Sequence, residues 1–88
     1  MSLSTDTAEL DAAIRSILKQ HGRLAQDADA LAADADLYQA GMNSHASVNV
    51  MLGLEGHFDV EFPDRMLTRS VFSSIAAIRG AIAELLGA

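Results

Sequence analysis

Apolar residues recur at helical spacing in three segments of this 88-residue chain, and that spacing restricts the fold more than any other feature. The segments cover about residues 7–20, residues 44–57 and the stretch from Ser73 or Ser74 to Gly87. Side chains three or four positions apart share one face of an α-helix, so each segment predicts a helix with a buried stripe. The stripes of the first and last segments are Leu10, Ile14, Ile17 and Leu18, and Ile75, Ile78, Ile82 and Leu85.

Residues that favour helix ends flank these segments. Asp6 is the expected N-cap of the first helix, with Glu9 as its capping-box partner, and Gly22 is the expected stop. Asn43 is the expected N-cap of the second helix, and either serine of the pair 73–74 can cap the last one. The helix boundaries are therefore predicted from short-range signals alone.

The connections between these helices are expected to add one further element. Residues 23–43 are rich in Ala and Asp, and a helical turn within 28–35 stays open. Four residues are expected to hold this connection against the core, namely Leu24, Leu31, Leu37 and Tyr38. After Phe62-Pro63-Asp64 breaks the chain, a short third helix is expected over about Arg65–Arg69. The predicted fold is all-α, a small four-helix bundle with a long first loop and a short third helix.

Composition agrees with a single helical domain over residues 1–88. Half of the residues are hydrophobic but only 5% are aromatic, which suits packed helices better than a sheet. The chain has no cysteine, which excludes a disulfide scaffold and a cysteine-based metal site. No signal peptide is recognisable, and no apolar run reaches the ~20 residues that span a bilayer. We therefore expect a cytoplasmic domain without membrane contact that is stable as a monomer.

The net charge of −6 is concentrated in the middle of the chain. Residues 23–64 contain eight acidic side chains against Arg23 alone, whereas the final 24 residues contain Glu84 against three arginines. An acidic middle argues against a nucleic-acid partner, because phosphates require Lys and Arg. It favours a basic protein partner, although the same acids also serve to keep a small apolar protein in solution.

Ser44 stands at a position suited to a phosphate ester. It follows the turn Gly41-Met42-Asn43 and opens the second helix. The unpaired N–H groups of a first helical turn and the positive end of the helix dipole favour a negative group there. The rest of the chain offers little that could do chemistry, so the prediction of function depends on this hydroxyl.

The second helix carries two apolar stripes. The larger stripe consists of Val50, Met51, Leu54 and Phe58, together with Ser47. His45, Val48 and Leu52 form a second stripe, about 120° away around the helix axis. A bundle helix needs one stripe for its core. The second stripe therefore either packs under the long loop or forms a docking surface for partners that approach Ser44.

Residues 36–64 share the spacing of a known protein family. The matching residues are Asp36-Leu37, Ala40-Gly41, Asn43-Ser44, Val48, Val50, Leu54-Glu55, Phe58 and Phe62-Pro63-Asp64. Without gaps, this run resembles the acyl carrier protein family. The family pattern is an acid and leucine, then Leu-Gly, Asp-Ser-Leu, Leu-Glu-x-x-Phe and Ile-Pro-Asp. The flanking helices agree in order and length, so the resemblance covers nearly the whole chain.

The resemblance implies a four-helix fold in which Ser44 is an attachment point and not a catalyst. A phosphopantetheinyl transferase would join the Ser44 Oγ to the 4′-phosphopantetheine of coenzyme A in a magnesium-dependent reaction. The thiol of that arm would carry an acyl or aminoacyl group as a thioester and deliver it to partner enzymes. The implied cofactor is therefore phosphopantetheine, and the implied partners are the transferase and an acyl- or amino-acid-activating ligase or synthase.

Two departures from the family pattern concern these partners. Asn43 and His45 stand where the family has Asp and Leu, which keeps the helix cap but changes the surface that a partner contacts. The second helix carries Glu55 as its only acid, unlike the family members that serve fatty acid synthesis. We therefore expect partners outside housekeeping fatty acid synthesis, with contacts at Asn43, His45, Val48, Leu52 and Glu55. The cargo stays open among a fatty acyl, a small acyl and an amino-acid group.

Catalysis and metal binding are not predicted. Ser44 and His45 are neighbours that point about 100° apart on a helix, so they cannot form a nucleophile–base pair directly. His21, His45 and His57 are too scattered to hold zinc. The alternative to a carrier is a helical adaptor that keeps the carrier fold and lacks the modification.

Overall fold

The computed structural model describes residues 7–87, and three α-helices form the framework of this part of the chain. These are α1 (Thr7–His21), α2 (Ser44–Phe58) and α3 (Ile75–Leu85). α1 packs against both α2 and α3. No strand occurs within residues 7–87, so the described chain is all-α, as the spacing predicted. None of the described helices has the length and hydropathy that a bilayer crossing requires.

The predicted apolar stripes form the core. All four stripe residues of α1 are buried, and so are Ile75, Ile78 and Ile82 of α3. Leu85, at the end of the α3 stripe, is half-buried. α2 contributes a third buried set, which consists of Ala46, Val50, Leu54 and Phe58. Among the described residues none that is polar or charged is fully buried, so apolar packing holds the helices together.

The predicted short third helix is present only as a 3-10 turn of three residues, Asp64–Met66. The described chain therefore has three α-helices where four were predicted. Leu67 leaves the helical region at φ −85° and ψ 62°. The Thr68 hydroxyl then accepts the Val71 N–H at 3.4 Å and lies 3.1 Å from the Ser70 hydroxyl. Side chains that bind nearby backbone groups compete with helical hydrogen bonds, which explains why the turn stays short.

The ends of the helices follow the predicted capping residues in part. The Ser74 hydroxyl caps α3 by accepting an N–H from its first turn at 3.0 Å. α1 ends at His21, directly before Gly22, as predicted. The left-handed backbone conformation, however, falls one residue later, on Arg23 at φ 54°. The predicted cap Asp6 lies outside the described residues.

The long connection between α1 and α2 is packed against the core. Leu31 and Leu37 are buried, and Leu24 and Tyr38 are half-buried against the core, as predicted. The helical turn that the sequence left open is a 3-10 turn at Ala28–Ala30. The connection is therefore a fixed part of the fold that leads the chain to the start of α2.

A network of charged side chains ties this connection to α1 and α3. The Arg15 guanidinium donates to the carbonyls of Ala28 and Leu31 at 2.5 and 2.7 Å. Arg15 also pairs with one oxygen of Asp11 at 2.9 Å, and the other oxygen accepts from Arg79 at 2.9 Å. The hydrogen bond from Arg15 is the main cause that lowers the pKa of Asp11, and Arg79 lowers this pKa further.

Gly53 allows α2 to approach α1 closely. A Cβ at this position would lie 3.0 Å from Cγ2 of Ile17 and 3.1 Å from Cδ2 of His21. Because protein interiors are close-packed, a larger residue there would have to displace one of these side chains. The absence of a side chain at Gly53 thus helps to set the separation of the two helices.

Candidate functional site

Asn43 caps α2 directly before Ser44. Its backbone is extended, with φ −98° and ψ 178°, and its side-chain oxygen accepts the Ala46 N–H at 2.7 Å. The predicted N-cap is therefore confirmed, and Ser44 is the first residue of the helix. The free N–H groups of the first turn and the positive end of the helix dipole lie beside the Ser44 side chain.

Backbone contacts fix the turn that precedes α2. Gly41 has φ +121°, a left-handed value that favours glycine. A Cβ on Gly41 would lie 3.0 Å from the nitrogen of Ala25, which itself donates to the Ala40 carbonyl at 2.8 Å. The next side chain, Met42, is buried in the core. The long connection and the core together set the position of Ser44.

The hydroxyl of Ser44 is exposed and is not engaged by the rest of the fold. Across residues 7–87 no side chain or backbone group forms a hydrogen bond with its Oγ. The Ser47 hydroxyl donates to the Ser44 carbonyl instead, at 2.8 Å. His45 is also exposed, and its imidazole, like the other groups of the described residues, forms no hydrogen bond with the Ser44 Oγ. Ser44 is therefore accessible to a modifying enzyme.

A groove of about 430 Å³ opens beside Ser44, between α2 and residues 67–72. Its walls combine apolar side chains with several hydroxyl groups. The lining residues are Tyr38, Ser44, Ser47, Val48, Met51, Leu67, Thr68, Arg69 and Phe72. The guanidinium carbon of Arg69 lies 3.8 Å from the centre of the Tyr38 ring, in a cation–π contact. Arg69 carries the only formal charge among these lining residues.

The second apolar stripe of α2 is exposed to solvent. Val48 is 51% exposed and Leu52 is 55% exposed, and His45 is exposed as well. The interpretation in which this stripe packs under the long loop is therefore wrong. All three residues lie within about 100° of Ser44 around the helix axis, so they share its side of α2.

Glu55 makes a contact that the sequence did not reveal. One of its carboxylate oxygens accepts the Phe62 N–H at 2.9 Å, and its carbonyl accepts the Val60 N–H at 3.2 Å. Because this carbonyl also accepts the Asp59 N–H, Glu55 satisfies three backbone donors at the end of α2 and in the turn that follows it. The residue lies on the same side of α2 as Val48, but it is half-buried and helps to hold the fold.

Tyr38 and Arg69 are the site residues that sequence reasoning missed. The sequence predicts only an anchoring role for Tyr38 and assigns no role to the Arg69 side chain. The two residues belong to different segments, and no short-range pattern signals their contact. Within residues 7–87 no group of three or more His, Cys, Asp or Glu side chains is arranged to hold a metal ion.

Comparison with known proteins extends these observations. The profile of a family described as a phosphopantetheine attachment site matches residues 9–82. The aminoacyl carrier protein of Agrobacterium fabrum (strain C58 / ATCC 33970) is 48% identical over 77 residues. That match covers 88% of this chain and 93% of the relative.

Solved structures show the same similarity. One crystal structure contains an engineered Bradyrhizobium japonicum glycine:[carrier protein] ligase in complex with a carrier protein from Agrobacterium tumefaciens and AMP. The matched chain of that complex is 50% identical, with a TM-score of 0.80, over 82% of this chain and 96% of that one. A protein from Agrobacterium tumefaciens with a known solution structure matches at 48% identity and a TM-score of 0.70. This second match covers 88% of this chain and 93% of that one.

Proposed function

The chain belongs to the acyl carrier protein family, whose members carry phosphopantetheine, and we propose that Ser44 is the attachment site of this group. We further propose that the arm holds an amino acid as a thioester and delivers it to partner enzymes. The family assignment confirms the prediction of a carrier that performs no catalysis itself. One observation carries the choice of Ser44, namely its exposed and unengaged hydroxyl at the first turn of α2.

The surroundings of Ser44 fit a phosphodiester-linked arm. A negative ester at the first residue of a helix lies beside free N–H groups and the positive end of the dipole, which stabilise it by about 0.3–1 kcal/mol. The adjacent groove offers apolar and hydroxyl-bearing walls to the pantetheine portion. When attached, the arm supplies a thiol, which the chain lacks because it has no cysteine. Asn43 supports the attachment by capping the helix from which the arm extends.

An amino acid is the cargo that the relatives favour. One relative is named an aminoacyl carrier protein, and the carrier of the crystal structure is bound to a glycine:[carrier protein] ligase. We propose that an amino-acid-activating ligase of this kind loads the present chain, with glycine as the first amino acid to test. This choice narrows the cargo that the sequence left open among acyl and aminoacyl groups.

His45, Val48 and Leu52 form the surface on which this ligase is proposed to dock. They are exposed, they flank the attachment site, and two of them are apolar. A partner that covers exposed apolar side chains removes them from water, and this removal contributes favourable free energy to binding. Asn43 and Glu55 lie at the margins of this surface, where Glu55 also supports the turn after α2. The phosphopantetheinyl transferase is proposed to approach the same side of α2, because it must reach the same hydroxyl.

Intact-mass measurement tests the attachment site. Incubation with coenzyme A, Mg²⁺ and a transferase of broad specificity should add the mass of one phosphopantetheine group. Ser44→Ala should abolish this addition, while Ser47→Ala removes a hydroxyl from the same helix and should leave it intact. Addition to the Ser44→Ala variant would contradict the assignment. A wild-type mass that never changes would favour the alternative of an unmodified helical adaptor.

Loading of the modified protein tests the cargo. A glycine-activating ligase with ATP should add one glycine, and hydroxylamine should remove it because hydroxylamine cleaves thioesters. An acyl-activating ligase supplied with a long-chain fatty acid serves as the comparison and should load the protein more slowly. Faster loading with the fatty acid would contradict an aminoacyl role. The monomeric state and the cytoplasmic location stay predictions, which light scattering and cell fractionation can test.

A further inference from the structure

Arg69 is an unpaired cation in an acidic protein. Four of the six Lys and Arg side chains form ion pairs with carboxylates, and these four are Arg15, Lys19, Arg65 and Arg79. Within residues 7–87, no carboxylate lies within ion-pairing distance of Arg69. Its guanidinium stacks on the Tyr38 ring at 3.8 Å instead. The ring therefore holds a cation whose charge is not matched by an acid.

This cation lines the same groove as Ser44. None of the other lining residues carries a formal charge, so Arg69 supplies the only charge of the groove lining, and this charge is positive although the chain carries −6. Asn43, directly before Ser44, is neutral where the family pattern has an acid. The residue next to the attachment site therefore does not offset the charge of Arg69, and an anion joined to Ser44 would share its groove with a cation.

We propose that Arg69, held on the ring of Tyr38, binds the phosphodiester of the arm attached to Ser44 and directs the arm into the groove. This inference rests on the proposed attachment at Ser44. A guanidinium suits this role because its planar set of N–H donors forms charge-assisted hydrogen bonds with phosphate oxygens. The stacking on Tyr38 already orders the side chain, so little conformational freedom is lost when the phosphodiester binds.

Arg69 acts in this proposal as a positioning residue and does not react. With the phosphodiester held, the pantetheine portion lies close to the apolar walls of the groove, near Val48 and Met51. Release of the phosphodiester frees the arm to enter a partner enzyme. Because Arg69 is exposed, its attraction for the phosphodiester should weaken as salt is added, since screening acts over about 8–10 Å near physiological ionic strength.

Phosphorus NMR of the modified protein tests the contact directly. In the wild type, the phosphodiester resonance should be displaced from that of free phosphopantetheine, and its transverse relaxation should report restricted motion. Arg69→Gln should move both quantities toward the free values, and added salt should do the same to the wild type. Arg65→Gln is the matched control, because it removes the same charge from a residue that pairs with Glu84 on α3.

A second measurement uses the unaltered chain. The Arg69 side-chain Nε–H resonance should shift when the unmodified protein is converted to the modified form, and the Arg65 resonance should not. Three results would each overturn the inference about Arg69 and leave the proposed function standing. The first is an unchanged phosphorus spectrum in Arg69→Gln, and the second is an equal change in Arg65→Gln. The third is an Arg69 resonance that does not shift on modification. A mass spectrum that shows no modification at Ser44 would overturn the proposed function itself.

Discussion

Replacement of Asn43 separates the two properties of the residue before the attachment serine, helix capping and local charge. Asn43→Ala removes the oxygen that accepts the Ala46 N–H at 2.7 Å, so a first-turn donor loses its partner. Asn43→Asp keeps an oxygen that can cap the helix and adds a negative charge. The two variants are therefore expected to change the stability of the unmodified protein in opposite directions.

The expected magnitudes follow from the geometry of the cap. Loss of an N-cap costs about 0.5–2 kcal/mol and typically about 1 kcal/mol, which is the loss that we expect for the cap at Asn43. For a domain of this size, that loss lowers Tm by about 4–8 °C. Asn43→Asp should gain about 0.3–1 kcal/mol from the helix dipole in the unmodified protein. In the modified protein the phosphodiester repels the new carboxylate, and the gain should shrink.

Thermal unfolding gives Tm and urea unfolding gives the free energy of unfolding, and both are measured for each variant before and after modification. The free energies of unfolding of the wild type and Asn43→Asp, each unmodified and modified, form a thermodynamic cycle. The effect of the substitution in the modified protein, minus its effect in the unmodified protein, is the coupling between the carboxylate and the phosphodiester. This coupling should be unfavourable at low ionic strength and should fall as salt is added. Equal stabilisation of both forms by Asn43→Asp would refute the electrostatic argument. An unchanged Tm in Asn43→Ala would refute the role of Asn43 as the cap.

Four further substitutions test the docking surface, the packing of the helices and the dependence of stability on pH. Val48→Asp should slow loading by the ligase about tenfold or more, because burying an unpaired charge under the ligase costs at least ~1–3 kcal/mol. The control Ala12→Asp, on the exposed side of α1, should leave the loading rate unchanged. Equal loading rates for the two variants would show that the ligase does not cover Val48. Gly80→Ala should stabilise the protein by about 0.5–1 kcal/mol in urea unfolding, because its Cβ meets no atom within 4 Å. Gly53→Ala should stabilise the protein less than Gly80→Ala does, because its Cβ would lie 3.0 Å from Cγ2 of Ile17 on α1. Equal stabilisation by the two variants would contradict the close approach of α2 to α1. The Asp11 carboxylate has a lowered pKa, so its contribution to stability is present above its usual pKa and is lost as pH falls through the lowered one. Asp11→Asn should therefore lower Tm at neutral pH and make Tm less sensitive to acidification, and a parallel Tm–pH curve would contradict this.

Short-range signals explain why most of the helical framework could be predicted. The caps at Asn43 and Ser74 depend on groups within one turn of the helix, and the apolar stripes depend on spacing along it. The predicted third helix is not confirmed beyond the 3-10 turn at Asp64–Met66, and Thr68 and Ser70 offer their hydroxyls in the residues that follow this turn. Hydrogen bonds of that kind offer the backbone an alternative to helical ones, and helix propensity alone does not decide between the two.

The sequence by itself determined the three α-helices, their order, the resemblance to the family and the serine at the start of α2. Only the tertiary structure decided what surrounds Ser44. The contact between Tyr38 and Arg69, and the groove that they line, join segments that are far apart in the chain. The exposure of Val48 and Leu52 likewise depends on where the long connection lies, and the sequence left that open. Helix and cap formation depend on neighbouring residues, whereas burial and side-chain contacts depend on distances between segments, which only the packed core sets.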